Sequence, residues 1–173
     1  VSLPSSLRRI GAGAFASASL LEDISLPEGL EEIGYGAFSR CTRISQVTIP
    51  EGITSLGSGY STYGGVFDGC TGIIRVTLLA RHLNLDVSTG AFSNCSGIEQ
   101  VVIGPKVEVI QYKMFYDCKN LSKLVFQERT ADASLYIGDY AFSGGADALN
   151  EGKFPLEHVG VPRQRRVYRE RCI

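Results

Sequence analysis

Long hydrophobic runs are missing from this chain. No stretch approaches the eighteen or more apolar residues that a membrane-spanning helix needs, so no spanning segment is expected within these 173 residues. No charged-then-apolar segment opens it as a signal peptide would, which leaves room for a mature or trimmed form of a secreted protein. Histidine is scarce: His82 and His158 are the two present, and neither has a nucleophile or carboxylate at a spacing suggestive of a catalytic triad. Both read as surface residues. Charge of one sign is also lacking, with a formal net charge of −1. Up to Pro162 there are 12 basic and 17 acidic residues, and 163–173 adds five arginines against one glutamate. A body at net −5 opposes nucleic-acid binding through the basic tail, and no nucleic-acid partner is expected.

What is present is order. Hydrophobic residues make up 44% and charged residues 20%, as in a soluble globular domain. The phrase GAFSRCTRISQVTIP (36–50) returns as GAFSNCSGIEQVVIGP (90–105). Aligned on its phenylalanine, the phrase gives six anchors, Phe15, Phe38, Phe67, Phe92, Phe115 and Phe142, spaced 23, 29, 25, 23 and 27 residues apart. Three residues after each anchor stand Ala18, Cys41, Cys70, Cys95, Cys118 and Gly145. Aliphatic residues follow at six, nine and eleven, for example Ile44, Val47 and Ile49, and five before the anchors come Ile10, Ile33, Val87, Ile110 and Ile137. A period of 20 to 50 residues marks stacked units that bury their apolar sides only against one another, that is, a repeat solenoid. Apolar residues at nine and eleven with polar ones between predict a short strand per repeat in a parallel sheet. Pro27 and Pro50, with no amide donor, end two of these strands. The Gly- and Ala-rich stretch before each anchor predicts a tight bend and about one helical turn opposite.

The stretch LPEGLEEIGYGAFSRCTRISQVTIPEGI (26–53) resembles the 23-residue leucine-rich repeat of the BspA-like class, with its Ala-Phe corner before Cys and its Val-x-Ile-Pro strand. The resemblance runs from Val1 to about Phe142. It implies a right-handed horseshoe-like array with one short parallel strand per repeat and short helical or irregular turns opposite. It further implies a bacterial or protist surface or secreted protein that binds host proteins or extracellular matrix, with no catalytic residues to carry over. No cofactor and no metal are expected. We read 1–173 as one domain: about six repeats (1–142), an irregular insertion (143–155), then a final strand and C-terminal cap (156–173). The start resembles the end of a strand, so a fragment of a longer protein is expected.

Within the array the cysteine column is the first candidate for chemistry. Side chains stacked in parallel keep their Cβ atoms farther apart than a disulfide prefers, and a line of thiols does not converge on a metal, so a buried, reduced ladder is expected. Cys172 lies outside the column and is expected to be exposed. The glycine-rich insertion GSGYSTYGG (57–65) fits neither a dinucleotide fingerprint nor a P-loop, and reads as a binding or flexible loop carrying Tyr60 and Tyr63. The sequons at Asn94 and Asn120 are of the number chance supplies.

The outward positions of the strands remain. Asp23, Gln46, Arg75, Gln100 and Lys123 lie eight residues after the anchors, and Ser25, Thr48, Thr77, Val102 and Val125 lie ten after. They alternate with the core column and so form two parallel stripes facing solvent. The expected function is a non-enzymatic protein-binding or adhesion module, monomeric, contacting its ligand through Asp23, Gln46, Thr48, Arg75, Thr77, Gln100, Val102, Lys123 and Val125, with Tyr60 and Tyr63 at the rim. The alternative is a structural spacer that presents another domain and binds nothing itself.

Overall fold

Alternating apolar and polar residues such as Gln46-Val47-Thr48-Ile49 cannot satisfy both faces of an isolated strand, and each such segment is covered by the next. The computed structural model describes residues 1–58, 64–83, 90–129 and 134–145. Among them nine short strands follow in order: β1 (Arg9–Ile10), β2 (Glu32–Gly34), β3 (Gln46–Ile49), β4 (Ser55–Ser58), β5 (Arg75–Leu78), β6 (Gln100–Ile103), β7 (Val109–Ile110), β8 (Lys123–Phe126) and β9 (Tyr136–Ile137). Every pairing among them is parallel. The principal sheet runs β3-β5-β6-β8 in the register the repeat predicts, with Gln46, Arg75, Gln100 and Lys123 in one row and Thr48, Thr77, Val102 and Val125 in another.

The structure corrects the expectation of a single strand per repeat. A second ladder, β1-β2-β4, places Ile10 beside Ile33 and Ile33 beside Leu56, and β7 pairs with β9 in the same manner. These strands are only two to four residues long. The sequence marks them as one aliphatic core position, too short to show a period of two. Leu56 takes the column position in repeat three, so the extra residues of that repeat enter after it. The register slips between Ile33 and Gly34, where Gly57 takes a φ of 99°. A second difference concerns the first repeat, whose Leu21, Ile24 and Leu26 are buried although 21–26 is not a strand. This segment is aligned by side chains rather than by a ladder.

The connections opposite are irregular turns rather than helical ones. The residue two after each anchor is left-handed in all six repeats: Ser17 (60°), Arg40 (60°), Gly69 (70°), Asn94 (59°), Asp117 (58°) and Gly144 (80°). A residue of that hand interrupts a right-handed helix. Each turn is tied to the next repeat by the amide of its anchor, Phe15 to the Ala37 oxygen at 2.7 Å, Phe38 to Val66 at 2.8 Å, Phe67 to Ala91 at 2.7 Å, Phe92 to Met114 at 2.8 Å and Phe115 to Ala141 at 2.7 Å.

Between ladders and turns lies the core. Phe38, Phe67, Phe92 and Phe115 are fully buried, and the six anchors stack with ring centroids 4.8–5.5 Å apart and planes within 9° of parallel. The insertion residues Tyr60 and Tyr63, the column residue Val87, the 156–173 cap, His158 and Cys172 lie outside the described residues.

Candidate functional site

Two regular columns of side chains could carry function: the thiols behind the anchors and the outward rows of the principal sheet. The thiols are buried and free. Each donates to the backbone oxygen of the preceding repeat's phenylalanine: Cys41 to Phe15 at 3.1 Å, Cys70 to Phe38 at 2.9 Å, Cys95 to Phe67 at 3.0 Å and Cys118 to Phe92 at 3.2 Å. The repeat period predicted the column but not these bonds, which require each thiol to reach back one rung. Burial pushes the Cys70 and Cys118 thiols up to about 12 and raises Cys41 and Cys95 as well. A thiol that resists ionisation is a poor nucleophile and metal ligand. The column is therefore structural. Among the described residues no group of three or more His, Cys, Asp and Glu could hold a metal ion.

The raised values set a pH dependence. The folded protein binds the thiol protons more tightly than the unfolded chain, so this stabilisation is complete below the unfolded thiol value of about 8.5 and is lost as pH rises toward 12. With a maleimide at neutral pH the four column thiols are expected to stay unlabelled until denaturant is added. Rapid labelling of Cys70 or Cys118 in the folded protein would contradict this burial.

The strand face is the other column. Gln46, Thr48, Arg75 and Lys123 are exposed, and Thr77, Gln100, Val102 and Val125 are half-buried. The face is internally braced, since the Arg75 guanidinium donates to Gln100 Oε1 at 3.1 Å. Asp23 is exposed beside the sheet rather than in it, 3.5 Å from the Ser45 hydroxyl that donates to it. Ile74, just before β5, is 52% exposed and adds apolar surface next to Arg75. Sequence reasoning passed over Ile74 because its position, seven after the anchor, falls where the chain bends into the strand and the in–out alternation has not begun.

His82 is exposed, as expected, but it has a carboxylate partner: Glu108 Oε2 lies 2.8 Å from its Nδ1, and Glu108 Oε1 accepts from Arg81 at 2.9 Å. The Arg81 hydrogen bond holds the Glu108 carboxyl below its ordinary value. The pair joins neighbouring repeats, a relation that linear spacing conceals.

Comparison with known proteins fits this geometry. The family model for the BspA type leucine rich repeat region, with six copies, matches residues 1–121 and 63–160. The chain belongs to the BspA-type leucine-rich repeat family. Leucine-rich repeat arrays are in general protein-interaction modules rather than enzymes. This BspA-type array is similar to the crystal structure of a leucine-rich repeat protein from Bacteroides ovatus, with 30% identity and a TM-score of 0.65 over 82% of the chain. It is also similar to the T. pallidum leucine rich repeat protein TpLRR, with 25% identity, a TM-score of 0.62 and 88% of the chain covered. A leucine rich cell surface protein from Faecalibacterium prausnitzii shares the fold at 22% identity and a TM-score of 0.54 over 84% of the chain. The array spans 33%, 67% and 37% of these three proteins. No curated protein matches it. Among the described residues no helix is long and apolar enough to cross a membrane.

Proposed function

We propose that this BspA-type array is a recognition module of a cell-surface or secreted protein and grips a protein or matrix ligand through its strand face. The observation that carries the reading is the strict register of the two outward rows on a four-stranded ladder. Side chains held at strand spacing of about 5 Å on a rigid sheet need little ordering when a partner arrives. Val102 and Val125 form an apolar centre, and Arg75, Gln100 and Lys123 surround it with polar groups, a layout common to binding hot spots. The surface placement draws support from the Faecalibacterium prausnitzii neighbour, itself a cell surface protein.

The test uses binding to immobilised extracellular-matrix extract and to intact cells. Changing Val102, Val125 and Lys123 to Glu, Glu and Ala is expected to weaken binding at least about thirtyfold, the effect of losing a hot spot worth 2 kcal/mol. Changing Arg163, Arg165 and Arg166 to Ser is expected to leave it unchanged. The reverse pattern would move the site to the basic tail, and no binding by the parent would favour the spacer alternative.

A further inference from the structure

Away from the strand face, the turns of repeats three to five enclose an open groove of about 220 Å³. Its existence follows from the residues two positions before the anchors. Gly65 and Gly90 stand there in repeats three and four, where a Cβ on Gly65 would overlap the Gly90 carbonyl oxygen and one on Gly90 would overlap that of Lys113. The backbones close up rung on rung, and no side chain grows from that position to fill the space.

The walls are chemically specific. Asp68 and Asn94 come from adjacent repeats, and the Asn94 amide donates to Asp68 Oδ1 at 2.7 Å. This fixes the orientation of both planar groups, and each keeps an oxygen beyond the one bond between them. Repeat five then departs from the first four repeats twice: Lys113 replaces the glycine two before the anchor, and Tyr116 replaces the alanine, serine or aspartate after it. Tyr116 is 38% exposed, and Lys113 Nζ stands 5.0 Å from its ring centroid and 5.3 Å from that of Tyr112. Lys113 also holds a left-handed φ of 53°, a conformation repeats one and two give to Gly13 and Gly36 and repeat six gives to Tyr140.

A groove with an aromatic plate, a fixed acid–amide pair and one ammonium suits a polyhydroxylated ring. The carboxylate opposes a phosphate, for which one lysine is weak compensation. We propose that the groove is a carbohydrate site that takes one pyranose ring of a glycan against Tyr116, its adjacent hydroxyls on Asp68 and Asn94, with the Lys113 ammonium, which lies over the Tyr116 ring, toward the ring oxygen or a sugar carboxylate. None of these residues belongs to the strand-face rows, so the site stands independently of ligand binding there.

The experiment is saturation-transfer difference NMR on the full chain with the methyl pyranosides of glucose, galactose, mannose and N-acetylglucosamine, with methyl glucuronide, and with inorganic phosphate as a separate arm monitored by phosphorus line width. At least one sugar is expected to receive saturation at millimolar concentration. Its affinity is expected to fall about tenfold or more in Tyr116→Ala and in Asp68→Asn, and to persist in Tyr136→Ala, which alters an exposed tyrosine outside the groove. Asp68→Asn keeps the shape of the side chain, so an unchanged melting temperature with lost saturation separates a site effect from unfolding. Preference for the glucuronide over the glucoside, abolished in Lys113→Gly, would support the assignment of Lys113. No saturation for any sugar, saturation undiminished in both groove variants, or binding of phosphate alone would overturn the proposal.

Discussion

Replacing Phe92 by alanine is expected to lower folding stability by about 3–5 kcal/mol, measured as a fall in the midpoint of urea unfolding. The ring is fully buried and stacks on both sides, 4.8 Å from Phe67 at 3° and 5.3 Å from Phe115 at 8°. Alanine removes two stacked contacts, and the neighbouring rings cannot collapse into the space because hydrogen bonds of their own hold their rungs apart. The Cys118 thiol bond to the residue 92 oxygen needs no side chain there and should survive. In an array stabilised by nearest-neighbour contacts, loss of a central stack also uncouples its two halves, so the transition should broaden. Phe15→Ala, at a partly buried anchor with one described stacking partner, should cost less. A loss below about 1 kcal/mol for Phe92→Ala would contradict the spine as a source of stability.

Gly90→Ala is expected to be comparably severe for a different reason. A Cβ there would overlap the Lys113 carbonyl oxygen and come within 2.6 Å of the Ser93 hydroxyl. The obstructing oxygen is backbone, so relief requires moving a rung. Overpacking of this kind costs about 1–3 kcal/mol and more when backbone must shift. Gly11→Ala, where a Cβ meets nothing within 4 Å, is the matched control and should be close to neutral. Thermal melts of the two variants side by side give the comparison, and equal melting temperatures would refute the close approach.

Side-chain pattern carried much of this. The columns at six, nine and eleven after each anchor fixed the register from Val47 through Val76 and Val101 to Leu124, because a rung shifted by one residue would turn Val47 outward and Thr48 inward. The second ladder was less legible, since a strand as short as Val109–Ile110 holds its shape by stacking and not by any alternation of its own. Of the short helical or irregular turns expected, the structure has the irregular kind, and the signal for it is in the sequence: Gly69, Asn94, Asp117 and Gly144 are residue types that tolerate a left-handed backbone, and they recur at one column. For the strand face, the rows were legible and the Ile74 surface was not. The groove around Asp68 was hidden because its residues occupy three different columns in three repeats and meet only when the rungs close.

The bonds that tie each turn to the next have a common sense. From Gly13, Phe15 and Ser17 through Phe115 and Asp117, the inter-repeat amides of the turn edge point toward the higher-numbered neighbour. Peptide dipoles aligned this way add as they do in an α-helix, whereas those of a sheet largely cancel. The turn edge is thus electrically polar along the axis of the array, positive toward Phe142, and every further repeat lengthens that field. Two such edges brought end to end attract head to tail and repel head to head. Any axial association of these arrays is therefore biased toward heterologous, same-direction stacking and away from a two-fold symmetric pair.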